Sequence, residues 1–184
     1  PTDTLSASGS FTGKVRHIKI ASAYGTAIFY GDFVKLVAAG TVEKAAVTTA
    51  VVAGTVGIFV GCTYTDPNSS QMTFNQQWPA STTASDAYAY VVDDPKLLFR
   101  MQGDEAIAQT GLGNNVSAVS TAGSTSIGRS KNALDGGSIA TTNSLPLRIV
   151  DFVDGPTSSV GDTYTDCIVT YLPLSHAYET KLGV

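Results

Sequence analysis

The stretch "AYAYVVDDPKLLFRMQ" (residues 87–102) sets two adjacent carboxylates, Asp93 and Asp94, between two apolar runs. Such a pair is typical either of acid–base catalysis or of a turn between strands. Catalysis requires both carboxylates to face one cavity, about 5–10 Å apart, whereas adjacent residues of a strand point to opposite faces. Aspartate before proline frequently opens a turn. We therefore predict two strands joined by a turn at Asp93-Asp94-Pro95.

Short strand-like segments recur on both sides of this stretch. Apolar–polar alternation or enrichment in Val and Thr predicts strands within residues 14–21, 27–38, 45–65, 145–156 and 165–174. A break at Gly31-Asp32 suggests a bulge, and a turn at Ala53-Gly54 divides the Val-rich segment into two strands. Eight or nine short strands predict an all-β protein with a β-sandwich or jelly-roll-like fold.

The domain prediction is a single β-sandwich domain, residues 13–184, preceded by an extended N-terminal arm, residues 1–12. The arm is polar and small, and only Leu5 before Ser10 offers an apolar anchor. At most one short helical turn is expected, within "GDEAIAQTGLGNN". Residues 120–144 are rich in Ser, Thr, Gly and Asn, which predicts an exposed loop or a weak hairpin.

Composition argues against nucleic-acid and membrane partners. The formal net charge is −4, and only 14% of residues are charged, against about 25% in an average domain. A nucleic-acid-binding surface needs clustered Lys and Arg, which are scattered here. Residues 45–65 are uncharged and long enough to span a bilayer, but Val and Thr favour strands, so we expect a soluble chain. The opening "PTDTLSASGS" does not have the pattern of a secretory signal.

No residue pattern predicts catalysis, a metal site or a cofactor. Cys62 and Cys167 are far apart in strand-like runs and are expected to be buried free thiols. The two histidines, His17 and His176, complete no zinc-ligand spacing, and the chain has no G-x-S-x-G elbow. An esterase-like hydrolase would need either histidine in a pocket beside a serine and an aspartate. A Ca²⁺ site among loop aspartates stays open, although no D-x-D-x-D-G ladder supports it.

"GSTSIGRS" (residues 123–130) nearly matches the phosphate-binding pattern G-x-x-x-x-G-K-[ST]. Arg129 replaces the lysine, and "KNALDGGS" cannot form the helix whose N-terminus would hold the phosphate. We interpret this segment as a loop.

Aromatic side chains are the remaining candidates for a functional surface. Trp78, Tyr64, Tyr88 and Tyr90 are predicted to be surface aromatics. Such residues can form either a sugar-stacking platform or a subunit interface, where Tyr and Trp are also favoured. Of these two interpretations we prefer the subunit interface.

Several blocks, in order, resemble a group of tailed-phage virion proteins. These blocks are "SGSFTGKVRHIKI", "AIFYGDFVKL", "TVGIFVGCTY", "YAYVVDDPKLLFRMQ", "LPLRIVDFVD" and the closing "SHAY…GV". Together they are similar to the head cement, or decoration, proteins of short-tailed phages, including cyanophages. The similarity runs from about Ser8 to the C-terminus and is weakest over residues 120–144.

The resemblance implies a non-enzymatic β-sandwich that is made in the host cytoplasm and assembles as a homotrimer on the outer surface of an icosahedral capsid. Its partners would be the major capsid protein and itself. We expect the arm to contact the capsid through Thr2, Asp3, Thr4, Leu5 and Phe11. The alternative function is a carbohydrate- or receptor-binding module on the virion surface.

Overall fold

A computed structural model describes residues 4–6, 14–48, 54–180 and 183. The described chain is built from short antiparallel strands, and its only helical elements are single 3-10 turns at Gln109–Gly111, Gly136–Ser138 and Pro173–Ser175. The all-β prediction is therefore confirmed. The strands are β1 (Thr4–Ser6), β2 (Arg16–Lys19), β3 (Ile28–Phe29), β4 (Phe33–Leu36), β5 (Val42–Lys44), β6 (Thr55–Thr65), β7 (Met72–Asn75), β8 (Gln77–Trp78), β9 (Tyr88–Val92), β10 (Leu97–Gln102), β11 (Asn115–Val116), β12 (Ala118–Val119), β13 (Ala133–Leu134), β14 (Leu147–Phe152) and β15 (Asp166–Tyr171).

Two larger sheets share one hydrophobic core. A five-stranded sheet has the order β1-β10-β15-β14-β11, and a six-stranded sheet has the order β2-β9-β6-β4-β5, with β7 also paired to β6. Phe33, Ile58 and Val92 of the six-stranded sheet pack in the same buried cluster as Phe99 and Tyr171 of the five-stranded sheet. Burial of both inner faces against each other supplies the main apolar driving force for the fold.

Residues 87–102 cross from one sheet to the other. The predicted turn is present, since β9 ends at Val92 and β10 begins at Leu97. However, β9 belongs to the six-stranded sheet and β10 to the five-stranded sheet, so the two strands do not form a hairpin. The Asp94 carboxylate accepts the backbone N–H of Lys96 at 2.9 Å, which is the turn-stabilising role expected of aspartate before proline.

The second face of the six-stranded sheet holds a separate core. Ile18, Ile20 and Val91 point into it, together with Phe59 and the fully buried Trp78. A two-stranded ribbon of β3 and β8 contributes to this core. The Trp78 indole N–H donates to the backbone carbonyl of Tyr24 at 3.2 Å, so its polar group is satisfied inside the core.

The Val-rich segment differs from its prediction. Residues 45–48 form no strand, residues 49–53 lie outside the described residues, and β6 is a single strand of 11 residues. Its neighbour β5 does not pair with it, because both strands pair with β4. None of the helices in the described part of the chain has the length and apolar character that crossing a bilayer would require.

The segment between β10 and β14 follows the prediction more closely. The expected helical turn is the 3-10 turn at Gln109–Gly111, although the described chain has three such turns where at most one was expected. Strands β12 and β13 form a short hairpin, but β12 lies before the predicted range of residues 120–144. The near-match to a phosphate loop is a tight loop in which Ser124 bridges to Arg129. Gly123 in this loop lies against the Phe29 ring, where an added Cβ would come within 2.4 Å of the ring carbons.

Part of the predicted N-terminal arm lies on the sandwich. Backbone pairing joins Thr4 to Phe99 and Leu5 to Leu98, which makes β1 an edge strand of the five-stranded sheet. This portion of the predicted arm, residues 1–12, therefore belongs to the body of the domain in this structure. Thr2, Asp3 and Phe11 lie outside the described residues.

Candidate functional site

One end of the six-stranded sheet carries exposed aromatic side chains. On β9, Val92, Tyr90 and Tyr88 share one side because side chains alternate along a strand. Val92 is buried in the core between the sheets, whereas Tyr90 is partly exposed and Tyr88 is 43% exposed. The six-stranded sheet thus extends past the cover of the five-stranded sheet. We call the uncovered surface the aromatic face, and its members are His17, Met72, Phe74, Tyr88 and Tyr90.

Strand register brings these side chains together. His17 pairs directly with Tyr90, and Tyr90 pairs with Gly61 on β6. Because Gly61 has no side chain, the Phe74 ring lies over it, and an added Cβ would be 3.2 Å from Phe74 Cζ. The Phe74 and Tyr90 ring centroids are 5.4 Å apart with planes tilted by 45°, and the His17 ring meets Tyr90 edge-on at 4.4 Å. The rings therefore form a ridge of tilted planes.

The aromatic face exposes more apolar surface than an isolated surface residue would. Met72 is 80% exposed and Phe74 is 67% exposed. With Tyr88, which is 43% exposed, these side chains present roughly 380 Å² to solvent, taking about 200 Å² for a whole large side chain. The largest patch on a typical soluble monomer is about 300–600 Å² and is often functional. The aromatic face is therefore the candidate functional site.

The predicted surface aromatics separate into two pairs. Tyr88 and Tyr90 lie on the aromatic face, as described above. Trp78 and Tyr64 are buried in the second core, with ring centroids 5.4 Å apart, so their prediction as surface aromatics is wrong. The strand patterns could not distinguish them, because burial depends on which sheet face another sheet covers.

Three members of the aromatic face were not predicted as surface residues. In "QMTFNQ", Met72 and Phe74 alternate with polar residues, which is typical of a strand with one buried face. Their exposure follows from the position of β7 beyond the five-stranded sheet, for which the sequence carries no signal. From its sequence context, His17 is a candidate catalytic or metal-binding residue or a structural residue of a strand, and none of these interpretations predicts its place on this face.

Asp93 and Asp94 have different roles: Asp94 stabilises the turn, and Asp93 joins separate segments of the chain. Asp93 is buried and accepts hydrogen bonds from Arg16 Nε and from the Tyr178 hydroxyl, the latter at 3.0 Å. The Arg16 guanidinium also lies 5.5 Å from the centroid of the Tyr178 ring. Partial burial, followed by the bond to Asp93, raises the pKa of Tyr178. Asp93 thus ties β2 and the C-terminal segment to the crossover between the sheets.

The two histidines occupy different environments. His17 is exposed on the aromatic face, whereas His176 is completely buried. His176 Nδ1 accepts the backbone N–H of Tyr178 at 3.2 Å. Within the described residues, neither histidine makes a hydrogen bond to a serine hydroxyl, so the arrangement that an esterase-like triad needs is not assembled there.

The buried carboxylate of Asp32 is held by structural contacts. The buried Asp32 carboxylate accepts the Phe29 N–H at 2.9 Å and the Ser130 hydroxyl at 2.6 Å, and it pairs with Lys44 at 3.0 Å. These bonds fix the break between β3 and β4 against the loop that contains Ser130. Cys62 and Cys167 are buried free thiols as predicted, and burial raises the pKa of each to about 12.

Carboxylates approach one another at one exposed loop cluster. Asp104, Glu105 and Asp135 each offer an oxygen within 4.8 Å of the others. Asp104 Oδ1 also accepts the Gly136 N–H at 3.1 Å. Exposed acidic groups commonly cluster without an ion, and nothing else at this loop points to a ligand.

An open cavity of about 610 Å³ lies between β10 and the loop before β13. Its polar lining includes Arg100 and Asp166, which form an ion pair, together with Lys131 and Asn132. No histidine lines it. The cavity therefore does not bring a histidine together with a serine and an aspartate.

Comparison with protein-family models, with curated proteins and with solved structures finds no match to this chain.

Proposed function

We propose that this chain is a decoration protein of a phage virion. In this proposal it is non-enzymatic, binds the major capsid protein on the outer surface of an icosahedral shell and acts as a homotrimer that stabilises the shell against the pressure of packaged DNA. The resemblance of the ordered sequence blocks supports the family. The aromatic face is the structural observation that carries the proposal, because it is an apolar surface that no other part of the described chain covers.

The residue types of the aromatic face are those of a protein interface. Aromatic residues and Met are enriched at protein interfaces. Covering roughly 380 Å² of this surface gains about 9.5 kcal/mol at about 25 cal/mol per Å². Association itself costs about 4–15 kcal/mol, so one such contact gives only modest affinity. We assign the aromatic face to the contact between neighbouring copies in the trimer.

Trimer formation would explain how modest contacts hold a shell. Three linked copies reach neighbouring capsid sites at a high effective concentration, so the second and third contacts add affinity without new interactions. Thr4 and Leu5 belong to β1, which pairs with β10 of the same chain. For that reason a capsid contact through these two residues is made either from the sheet edge or after β1 detaches.

Co-sedimentation with expanded heads of the parent phage, prepared without this protein, tests the proposal. Wild-type protein is expected to pellet with the heads and to saturate. Phe74→Ser removes roughly 130 Å² of apolar contact, worth about 3 kcal/mol or more than 100-fold in Kd for each contact. This variant should bind the heads far more weakly.

Tyr164→Ser is the matched control, because Tyr164 is 58% exposed and lies outside the aromatic face. It should bind heads as the wild type does. A wild-type protein that stays in the supernatant at every concentration would overturn the proposal. Equal head binding by Phe74→Ser and Tyr164→Ser would show that the aromatic face takes no part in the proposed function.

A second candidate function is a carbohydrate- or receptor-binding module on the virion surface. The observation that favours it is the group of exposed rings on one sheet face, since sugars stack on aromatic side chains. The ring planes are tilted by 45° and 87° rather than coplanar, which makes a poor stacking platform. Glycan-array binding that Phe74→Ser abolishes would favour this function over the first.

A further inference from the structure

The segment after β15 is attached to the sandwich by a few specific bonds. The Leu172 N–H donates to Pro146 O at 3.0 Å, and the Ala177 N–H donates to Thr55 O at 2.6 Å. The Tyr178 hydroxyl then reaches Asp93 on the crossover. The docked segment, residues 173–180, therefore contacts both strand β6 and the crossover.

His176 lies at the centre of this segment. Its ring is completely buried and packs edge-on against Tyr171 at 5.4 Å and against Tyr178 at 5.1 Å. Because Nδ1 accepts the Tyr178 N–H, the neutral ring carries its proton on Nε2. A second proton would have to enter at Nδ1, where it would face the Tyr178 N–H, and two donors cannot share that bond.

We propose that residues 173–180 form a pH-sensitive latch, which is docked against Asp93 while His176 is neutral and is released when His176 takes a second ring proton. Loss of the Nδ1 bond displaces the Tyr178 backbone. The Tyr178 ring then leaves both Asp93 and the Arg16 guanidinium. This device is independent of the proposed function.

The pKa of His176 is set by burial, which acts against the charged ring, and by nearby groups, which favour it. Burial lowers the pKa of His176 below its ordinary value of 6.5. The backbone of Val56 and the carboxylates of Glu179, Asp93 and Asp94 act in the opposite direction, because they favour the charged ring. Arg16 faces the same segment through Tyr178 and Asp93.

The sign of the pH effect follows from linkage. A released segment binds a proton near pH 6.5, whereas the docked segment binds it only at lower pH. Docking is therefore strongest above about pH 7.5 and weakens as the pH falls through 6.5. At pH 5.0 a free histidine is almost fully protonated, so the opening constant rises by up to roughly 30-fold relative to pH 7.5.

Amide hydrogen exchange of the full chain tests the latch at pH 7.5 and 5.0. After correction for the intrinsic pH dependence of exchange, protection at Ala177, Tyr178 and Glu179 should fall by up to roughly 30-fold. His176→Asn is the decisive variant, because its side-chain oxygen replaces Nδ1 as acceptor for the N–H two residues on and does not titrate. In this variant, the protection of the same three amides should change less than about threefold between the two pH values. A peptide covering β10 is the internal reference and should stay protected.

Tyr178→Phe provides an independent check, since it keeps His176 but loses the hydroxyl bond to Asp93. Amides 177–179 of this variant should be less protected from exchange than in the wild type at both pH values. Their protection should fall between pH 7.5 and 5.0 by the same factor as in the wild type. The proposal is overturned if wild-type protection persists at pH 5.0. It is equally overturned if His176→Asn loses protection as the wild type does, or if Tyr178→Phe shows no pH response.

Discussion

Replacing Asp93 by alanine should destabilise the domain by about 2 kcal/mol. The buried carboxylate accepts one bond from Arg16 and one from the Tyr178 hydroxyl. A hydrogen bond to a charged group contributes about 1.5–3 kcal/mol. The Arg16 side chain is 52% exposed and returns to water without Asp93, so its share is discounted to below about 1 kcal/mol. The bond from Tyr178 supplies about 1.5 kcal/mol of the total.

Urea unfolding at one fixed protein concentration measures this loss. Asp94→Ala is the matched control, because Asp94 caps the same turn through a single bond to the Lys96 N–H. It should lower the free energy of unfolding by about 0.5 kcal/mol. For a chain of this size, a loss of 2 kcal/mol corresponds to a fall of roughly 4–8 °C in Tm. Equal losses for the two variants would refute the role of Asp93 as the tie between the crossover, β2 and the C-terminal segment.

Three further predictions concern the cores. Gly57→Ala should prevent folding to soluble protein, because the added Cβ would lie 2.0 Å from the Val92 carbonyl oxygen. Soluble expression and circular dichroism of the variant test this. Trp78→Ala should cost about 3–5 kcal/mol in urea unfolding, the usual range for a fully buried aromatic ring, and a loss below 1 kcal/mol would contradict its burial. Cys62 and Cys167 should resist a thiol reagent at pH 8 in the native protein and react fully in guanidinium, since burial raises the pKa of each thiol to about 12. Rapid native labelling would contradict this.

The sequence predicted the all-β class correctly, because alternation and turn chemistry are local properties. It did not predict the number of strands, since eight or nine were expected and the described chain has fifteen. The turn at Asp93-Asp94-Pro95 separates two strands as expected. At Gly31-Asp32 a bulge was expected, but the chain instead breaks into β3 and β4, which pair with different strands. Local patterns do not say which sheet receives each strand. For this reason the crossing of residues 87–102 between two sheets emerged only from the structure.

The candidate site was predicted only in part, for the same reason. Tyr88 and Tyr90 lie on the aromatic face, but Trp78 is buried. An aromatic strand residue is buried or exposed according to whether a second sheet covers its side of the strand. Phe74 would be assigned to a core by alternation alone, and its exposure depends on how far β7 extends beyond the five-stranded sheet.

The measurement that tests the central claim most directly is the solution mass of the protein, obtained by size exclusion with light scattering. Wild-type protein and Tyr164→Ser should have a mass near 57 kDa, three times the 19.0 kDa chain. Phe74→Ser should shift toward 19 kDa, because it removes the largest aromatic contact of the proposed interface. A wild-type mass near 19 kDa, or a trimer that Phe74→Ser leaves intact, would contradict the account.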